Sequence, residues 1–376
     1  MSKTRPKIQA KSVVNPWPMV RLGDVCDEIK DRIQSSKVAV SEYVTTDNMV
    51  KDRGGIVQTE YVPSDVGLVE YHKGDVLVAN IRPYLKKIWL ADHDGGCSSD
   101  VVVFRTNTDG LSSEYLYSVL SQDAYFEYVM QKPRGTKMPR GDRDWMKEFR
   151  FPLPSLSEQR EIVARLEREL AAVEKMKKGF EALAETAKAE FKAELKEVFE
   201  GLKLCAETCK LGSLCKIKAG KKDVRQGNPH GEFPFFTCAK TCTFADTYSY
   251  DCAALLVAGN GDVGYTQKYV GKFEVYQRTY VLYDFKNVDI DFVYYLMAGE
   301  FQEWAYSKLM GNTMPYIKMG VLSEFQVPVP SPFVQHHTVS CLAEAKAHAE
   351  FLEAKAREGV AVCETMRKAI LKEAFQ

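Results

Sequence analysis

The sequence predicts an α+β protein made of two similar mixed α/β units, each followed by one long helix. Three observations carry this expectation. An ordered set of short motifs occurs twice. Strand-like and helix-like patterns mix inside each copy. After each copy the apolar residues switch to a spacing of three and four, the signature of an amphipathic helix.

The repeat is explicit. Arg21-Leu22-Gly23-Asp24-Val25-Cys26 returns as Lys210-Leu211-Gly212-Ser213-Leu214-Cys215, and Leu77-Val78-Ala79-Asn80 as Leu256-Val257-Ala258-Gly259. Gly135-Thr136-Lys137-Met138-Pro139 is answered by Gly311-Asn312-Thr313-Met314-Pro315, and Phe151-Pro152-Leu153-Pro154 by Val327-Pro328-Val329-Pro330. Matching residues lie 189 positions apart at Leu22 and Leu211 but 176 apart at Pro152 and Pro328, so the middles differ in length. The stretch from Ile33 to Val69 has no clear counterpart. Shared ends with unlike middles suit one architecture making two different binding choices.

The elements follow in order. Residues 1–16 are basic and polar, and we read them as a loose tail without the apolar stretch of a signal peptide. The first unit spans 17–154. Its strands include Val76 to Asn80 and Ser99 to Arg105, the second with consecutive Val and Phe suited to a buried sheet. Glu114 to Gln131 is predicted as a helix, with Tyr115, Val119, Leu120, Tyr125 and Val129 on one face. A long helix fills 155–205. Ile162, Leu166, Leu170, Val173, Met176, Phe180, Leu183, Ala187, Phe191, Leu195 and Val198 form its coiled-coil-like seam. Ser155 and Glu158 supply a capping box, Pro152 and Pro154 bar an earlier start, and Gly201 marks a stop. The patterned stretch 157–200 would be roughly 65 Å long. The second unit spans 206–330. The second helix, 331–376, repeats the seam through Val339, Leu342, Ala345, Ala349, Leu352, Ala356, Val360, Cys363, Met366 and Ile370, and is the natural mate of the first.

Bulk properties narrow the function. At 376 residues the chain can bury two separate cores. No apolar run approaches the roughly 18 residues of a membrane span, and the cytoplasm is the expected compartment. The ten cysteines lack the C-x2-C spacing of zinc ribbons, so reduced and mostly buried thiols are expected, with no metal. A formal net charge of zero argues against a protein that coats DNA by itself, though local basic patches can still grip it.

Basic residues gather in loops. Arg82, Lys86 and Lys87 interleave with Tyr84 and Trp89. Arg134, Lys137, Arg140 and Arg143 surround Thr136 near the end of the first unit. Lys218, Lys221, Lys222 and Arg225 open the second. Asn260, Lys268, Asn312, Tyr316 and Lys318 complete the candidate DNA contacts. Arginine and lysine suit phosphates and guanine, and asparagine suits adenine. Gly259-Asn260-Gly261-Asp262-Val263-Gly264 spells G-x-G-x-x-G. The aromatic, β-branched stretch after it predicts a hairpin, whereas a dinucleotide site needs a helix there. No set of methyltransferase, Walker A or nuclease residues is present, and His336-His337 fits a core or capping role better than a metal.

With these residues in hand the chain resembles the specificity (S) subunit of type I restriction–modification systems. The carriers are Trp17-Pro18 with Val20-Arg21-Leu22-Gly23-Asp24-Val25, Gly74-Asp75-Val76-Leu77-Val78 with Arg82-Pro83-Tyr84, then Gly135-Thr136. The phrase Phe151-Pro152-Leu153-Pro154, with Glu158-Gln159 and Ile162-Val163, completes them. The second copy departs from the pattern: Phe333-Val334-Gln335 stands where the first has Ser157-Glu158-Gln159, losing the acid and its capping box.

The resemblance implies two target-recognition domains, each reading half of a bipartite double-stranded DNA target. It implies antiparallel helices that set the spacer and relate the domains by a pseudo-twofold axis. It implies docking of two methyltransferase (M) subunits, with Glu158, Gln159 and Gln335 at the docking surface, and adenine-N6 methylation by those partners. It further allows two restriction (R) subunits for translocation and cleavage. S-adenosylmethionine, ATP and magnesium would belong to the partners, and this chain would be no enzyme and hold no cofactor. Two rival readings are a repeat-built adaptor for proteins and a nucleotide-using enzyme built on the Gly259 to Gly264 loop.

Overall fold

The computed structural model describes residues 17–311 and 313–375; the expected tail, residues 1–16, lies outside them. The chain divides into two compact units, Met1–Gly179 with Gly359–Gln376, and Phe180–Glu358. Each unit therefore takes part of both long helices, where the sequence reading made the helices separate segments.

In the first unit the strands are β1 (Met19–Arg21), β2 (Cys26–Glu28), β3 (Arg32–Gln34), β4 (Tyr43–Val44) and β5 (Gly67–Tyr71). They continue with β6 (Val76–Ala79), β7 (Ile88–Leu90), β8 (Gly95–Cys97), β9 (Val101–Thr106) and β10 (Arg150–Pro152). The helices are α1 (Leu22–Val25), α2 (Ser113–Leu120), α3 (Asp123–Val129), α4 (Arg143–Lys147) and the start of α5 (Leu156–Cys205). One sheet has the order β2-β9-β6-β7, a second has β3-β5-β8-β4, and β1 pairs with β10.

The continuous apolar runs of β6 and β9 follow from cover on both faces. Val76, Val78, Val102 and Phe104 pack on Tyr115, Leu116, Val119 and Phe126 of α2 and α3. The alternate residues Leu77, Ala79, Val101 and Val103 pack on Val69, Tyr71 and Cys97 of the second sheet. That second sheet is where the unmatched stretch from Ile33 to Val69 goes.

In the second unit the strands are β11 (Thr208–Lys210), β12 (Lys216–Ala219), β13 (Phe233–Phe236), β14 (Thr243–Ala245), β15 (Tyr250–Ala258), β16 (Thr266–Val275), β17 (Thr279–Tyr283) and β18 (Gln326–Pro328). The helices are α6 (Leu211–Leu214), α7 (Ile290–Leu296), α8 (Gln302–Tyr306), α9 (Met319–Ser323) and the larger part of α10 (Pro332–Glu373). One six-stranded sheet has the order β12-β17-β15-β16-β13-β14. Its first four strands repeat the arrangement of β2-β9-β6-β7. The remaining two extend the same sheet, whereas the first unit builds a separate one.

The ends of the repeat match bond for bond. Leu22 N–H donates to Phe149 C=O at 2.8 Å and Leu211 N–H to Phe325 C=O at 2.8 Å. Leu153 N–H donates to Pro18 C=O at 2.9 Å and Val329 N–H to Glu207 C=O at 2.8 Å.

The long helices run antiparallel within each unit. In the first, Ile162 and Leu166 share a core with Leu371 and Phe375, while Lys177 pairs with Glu364. In the second, Leu195 and Phe199 share a core with Leu342, while Lys188 lies 3.9 Å from Glu353. The capping box forms: Ser155 N–H donates to Glu158 Oε2 at 2.8 Å and Glu158 N–H to Ser155 Oγ at 3.4 Å.

Several expectations change. Gly201 does not stop α5, which continues to Cys205, because Phe199 is buried and Leu202 packs on the same core. The seam is carried there by Phe199 more than by Val198, and Met176, Leu183 and Met366 are exposed. The helix expected from Glu114 to Gln131 is two helices, since Gln122 is extended (ψ 150°) and restarts the chain as the N-cap of α3. The thiols are less buried than expected. Cys26, Cys97 and Cys363 are buried, but Cys205, Cys242 and Cys341 are exposed and the other four lie between. Burial pushes the Cys26 and Cys97 thiols up to about 12, which keeps them protonated. Among the described residues no group of side chains could hold a metal ion, and no helix is long and apolar enough to cross a membrane.

Candidate nucleic-acid interface

The sheet register brings several loops to one end of each unit. β6 runs antiparallel to β9, so Asn80 emerges against Asp100, and Arg143 links this end to Glu28 of β2 by donating to both Ser99 C=O and the Glu28 carboxylate. β12 and β15 both run antiparallel to β17, so Ala219 and Ala258 end side by side against Tyr280 and Thr279. At this end each unit docks a short hairpin.

In the first unit it is residues 134–140. Arg134 N–H donates to Arg140 C=O at 2.7 Å, and Arg140 N–H returns to Arg134 C=O at 2.9 Å. In the second it is residues 310–316, closed by the same two bonds between Met310 and Tyr316 at 2.9 and 3.0 Å. Gly135 (φ +83°) and Gly311 (φ +84°) make the left-handed turn that a side chain would strain. Each hairpin is tied to the sheet equivalently. Gly141 N–H donates to Asn80 C=O at 3.0 Å and Ile317 N–H to Gly259 C=O at 2.9 Å. Ile81 bridges Arg140 and Asn260 bridges Tyr316.

A tryptophan ties together the two helices that flank each hairpin, α3 to α4 and α8 to α9. Trp145 stacks on Tyr128 (4.5 Å between rings), donates to the Tyr128 carbonyl at 3.0 Å, and carries the Lys132 ammonium 3.7 Å above its ring. In the second unit Trp304 donates to the Val321 carbonyl at 3.2 Å, with Lys308 5.2 Å from its ring. By the 176-residue offset Trp304 matches Tyr128, and Val321 matches Trp145. The indole has changed helices, yet the bond between them persists.

The first hairpin is charged and framed by carboxylates. Arg134 pairs with Asp142 at 2.7 Å, Arg140 with Asp100 at 3.4 Å, and Arg143 with Glu28 at 2.8 Å. The Arg134 hydrogen bond holds the Asp142 carboxyl below its ordinary range. Burial pushes the Glu28 carboxyl up, but Arg143 and Lys147 outweigh it and the net direction is down. Thr136 and Lys137 stand exposed at the tip, and Arg82, in the left-handed region at φ 52°, donates its N–H to Pro139 C=O at 2.7 Å. So Arg82, Arg134, Thr136, Lys137, Arg140 and Arg143 come together, with Tyr84 half exposed nearby in sequence.

Two other expected contacts are turned inward. Lys86 binds Asp123 at 2.7 Å beside the buried Arg53, and Lys87 donates to the Thr46 carbonyl. Burial raises the Asp123 carboxyl, and Lys86 and Arg53 overcome it to a net lowering. Both lysines are therefore poor candidates for DNA.

In the second unit Asn260, Tyr316 and Lys318 come together, and Lys221, Lys222 and Arg225 leave the same sheet end. Lys222 reaches Thr247 at 3.3 Å, while Lys221 and Arg225 are exposed. Lys218 instead leans toward the Tyr283 ring at 5.7 Å, and Lys268 is paired with Asp291 in mid-strand. Asn312 lies outside the described residues. The G-x-G-x-x-G loop joins antiparallel β15 and β16 as a hairpin, with no helix to hold a pyrophosphate, which removes the nucleotide-enzyme reading.

The docking expectation for the two glutamines also changes. Gln159 is fully buried and bonds Ser112 N–H at 2.9 Å and the carbonyls of Gly110 and Pro154 at 2.7 and 2.9 Å. Gln335 repeats this with Asp289 N–H at 2.8 Å and the carbonyls of Asn287 and Pro330 at 3.3 and 2.8 Å. Both are internal clamps with no surface to offer a partner. Glu158 is exposed, but it is engaged by Ser155 and by Trp17 Nε1 at 3.1 Å.

Sequence reasoning missed Asn80. It is buried (6% exposed), and its Oδ1 has no hydrogen-bond partner among the described residues. A Cβ on Gly141 would lie 2.9 Å from that oxygen, so only glycine lets the hairpin close here. Its one signal was a polar residue ending an apolar strand before a basic loop.

Comparison with known proteins agrees with this geometry. The family described as type I restriction modification DNA specificity domain matches residues 15–180 and 206–357. The type I restriction enzyme EcoDI specificity subunit of Escherichia coli is 33% identical over 165 residues, covering 44% of this chain but only 36% of that subunit. The MjaVIII specificity subunit of Methanocaldococcus jannaschii is 24% identical over 369 residues, covering 85% of this chain and 83% of that one. A chain from a structural study of complex assembly and conformational transition in the type I R-M system has the same fold (TM-score 0.81, 24% identity, 98% and 99% coverage). The HsdS subunit from Thermoanaerobacter tengcongensis matches less closely (TM-score 0.56, 23% identity, 96% of each chain). Two family matches that fall on the two copies of one repeat leave one conclusion: the chain belongs to the type I restriction–modification DNA specificity family.

Proposed function

We propose that each unit reads one half of a bipartite duplex target and that the hairpins at 134–140 and 310–316 carry much of that contact. The observation behind this reading is one backbone device built twice, with the shared Gly and Met-Pro kept and the other side chains exchanged. The first hairpin presents Arg134, Lys137 and Arg140, and the second presents Met310, Thr313 and Tyr316. A fixed scaffold with exchanged side chains is what two different half-sites require. Arg82, Arg143, Lys221, Lys222, Arg225, Asn260 and Lys318 would add phosphate or base contacts around them.

In the same reading the chain acts in the cytoplasm with two methyltransferase subunits, which bring S-adenosylmethionine and methylate adenine at N6. Restriction subunits bring ATP, magnesium and cleavage. A net charge of zero fits a complex in which partners share phosphate binding. Methylome sequencing of cells with and without this chain tests the reading. A bipartite methylated motif should vanish with the chain, and an unchanged methylome overturns the assignment. Exchanging block 17–154 for that of a relative should alter one half of the motif only.

A further inference from the structure

The first unit contains a second basic site, away from the hairpin. Residues 50–54 and the Lys86 loop face the inner side of the two long helices across a cleft of about 730 Å³. Six cations line it, Lys51, Arg53, Lys86, Lys177, Arg367 and Lys368, against four carboxylates, Asp52, Asp123, Glu174 and Glu364. Three of the cations already have carboxylates. Arg53 and Lys86 share Asp123, and Lys177 holds Glu364.

Arg367 is different. Its Nε is buried and has no hydrogen-bond partner among the described residues. The half-buried guanidinium is always charged, and Glu364 feels that charge. Lys177 holds Glu364, however, so the Arg367 Nε donor is left without an acceptor, which is unfavourable. By contrast, Arg134 and Arg140 of the hairpin and Arg143 of α4 each have a carboxylate within 3.4 Å. Lys368 stands exposed next to Arg367 on the helix, and Lys51 stands exposed on the loop that lines the same cleft. In that loop, residues 52 and 53 are held in the left-handed region, φ 54° and 66°. The Asp52 and Arg53 N–H groups are tied to the Leu85 and Lys86 carbonyls at 2.9 Å each. That cost in backbone strain keeps the loop, and Lys51 with it, facing the helices.

We infer that this cleft binds a phosphate group through Arg367, Lys368 and Lys51. Resting on the DNA-reading proposed above, the phosphate is one of the duplex backbone, and its contact carries no sequence information. A free phosphate presents the same chemistry, so the test separates the two sources.

In the complex with its methyltransferase partner, Arg367→Gln should weaken cognate and non-cognate duplexes by the same factor. The slope of log affinity against log salt should flatten by about 0.9, one phosphate released, while the methylated motif stays unchanged. Arg367→Lys should restore the slope, which a merely structural role would not do. In parallel, inorganic phosphate should raise the melting temperature of the full chain but not of Arg367→Gln. A phosphate effect with an unchanged DNA slope assigns the site to free phosphate and removes the duplex contact. No change in either measurement overturns the inference. If the wild-type complex itself selects no sequence, the DNA-reading fails, and the melting experiment still decides the cleft.

Discussion

The hairpins at 134–140 and 310–316 share a backbone and a Met-Pro pair, Met138-Pro139 and Met314-Pro315, with the methionine exposed in each. They differ where the first has Arg134, Lys137 and Arg140 and the second Met310, Thr313 and Tyr316. Both close with two reciprocal backbone bonds, both turn on a left-handed glycine, and both hang from the end of the third strand of a four-strand order. One is framed by Asp142, Asp100 and Glu28 and presents arginines; the other presents Met310 and Tyr316. The lesson is a division of labour between bond types. Main-chain hydrogen bonds and glycine dihedrals hold the shape, so side chains at the tip are free to change without loss of fold. The exchange of Trp145 for Trp304 on the opposite helix extends this: a helix-to-helix contact survives even when its donor moves.

The comparison can be broken most severely at the glutamine clamps. Gln159→Leu and Gln335→Leu each strand one N–H and two carbonyls, and each should cost roughly 3 kcal/mol. Urea unfolding measures both, and a large cost at only one site would end their equivalence.

Next comes an asymmetry. Glu28 matches Ile217 in the second copy, so its ion pairs have no counterpart there. Its folded carboxyl lies below the ordinary value, so the stability it adds is present at neutral pH and lost as pH falls through the folded value. Glu28→Gln should therefore be less stable than the parent at neutral pH and converge with it in acid. A pH-independent gap in denaturant midpoint contradicts this account.

A smaller effect is expected at the tips. Arg134→Ala with Lys137→Ala should lower affinity of the complex for cognate DNA about tenfold at moderate salt, flattening the salt slope by up to about 1.8. Thr313→Ala should leave the slope alone. Filter binding across a salt series reads both, and unchanged affinity at matched salt excludes the first hairpin from phosphate contact.

The smallest concerns the helix starts. Ser155→Ala should cost about 1 kcal/mol by unfolding of the cap. Ser331→Ala should cost less, since its Oγ accepts from Val334 only at 3.5 Å and no acid closes the box. Equal losses in thermal unfolding would mean the missing acid is immaterial.

Much of the fold was legible because it rests on local rules. The seam of α5, its capping box and the buried Val-Phe strand all come from spacing within a few residues. The site was legible only in part. That Lys86 is tied to Asp123, or Arg143 to Glu28 across 115 residues, depends on which loops meet in space. Gln159 sits in a polar-looking phrase at a helix start, and nothing local distinguishes an internal clamp from a docking residue. Gly201 carries a stop signal, but the buried neighbours Phe199 and Leu202 keep the helix going. The matched motif pairs were the strongest guide, because each proved to be one repeated backbone contact.

Leu371, Ala374 and Phe375 belong to the core of the first unit, where Phe375 meets Tyr115 edge to face at 5.6 Å. The second unit is one continuous segment, residues 180–358. During synthesis, then, the order of completion inverts the order of the sequence. The second unit has all its residues first, while the earlier one waits with an open core for the last turns of the chain. A ribosome that stops just short of residue 359 would release a finished second unit and an unfinished first, exposing apolar surface that quality control can recognise.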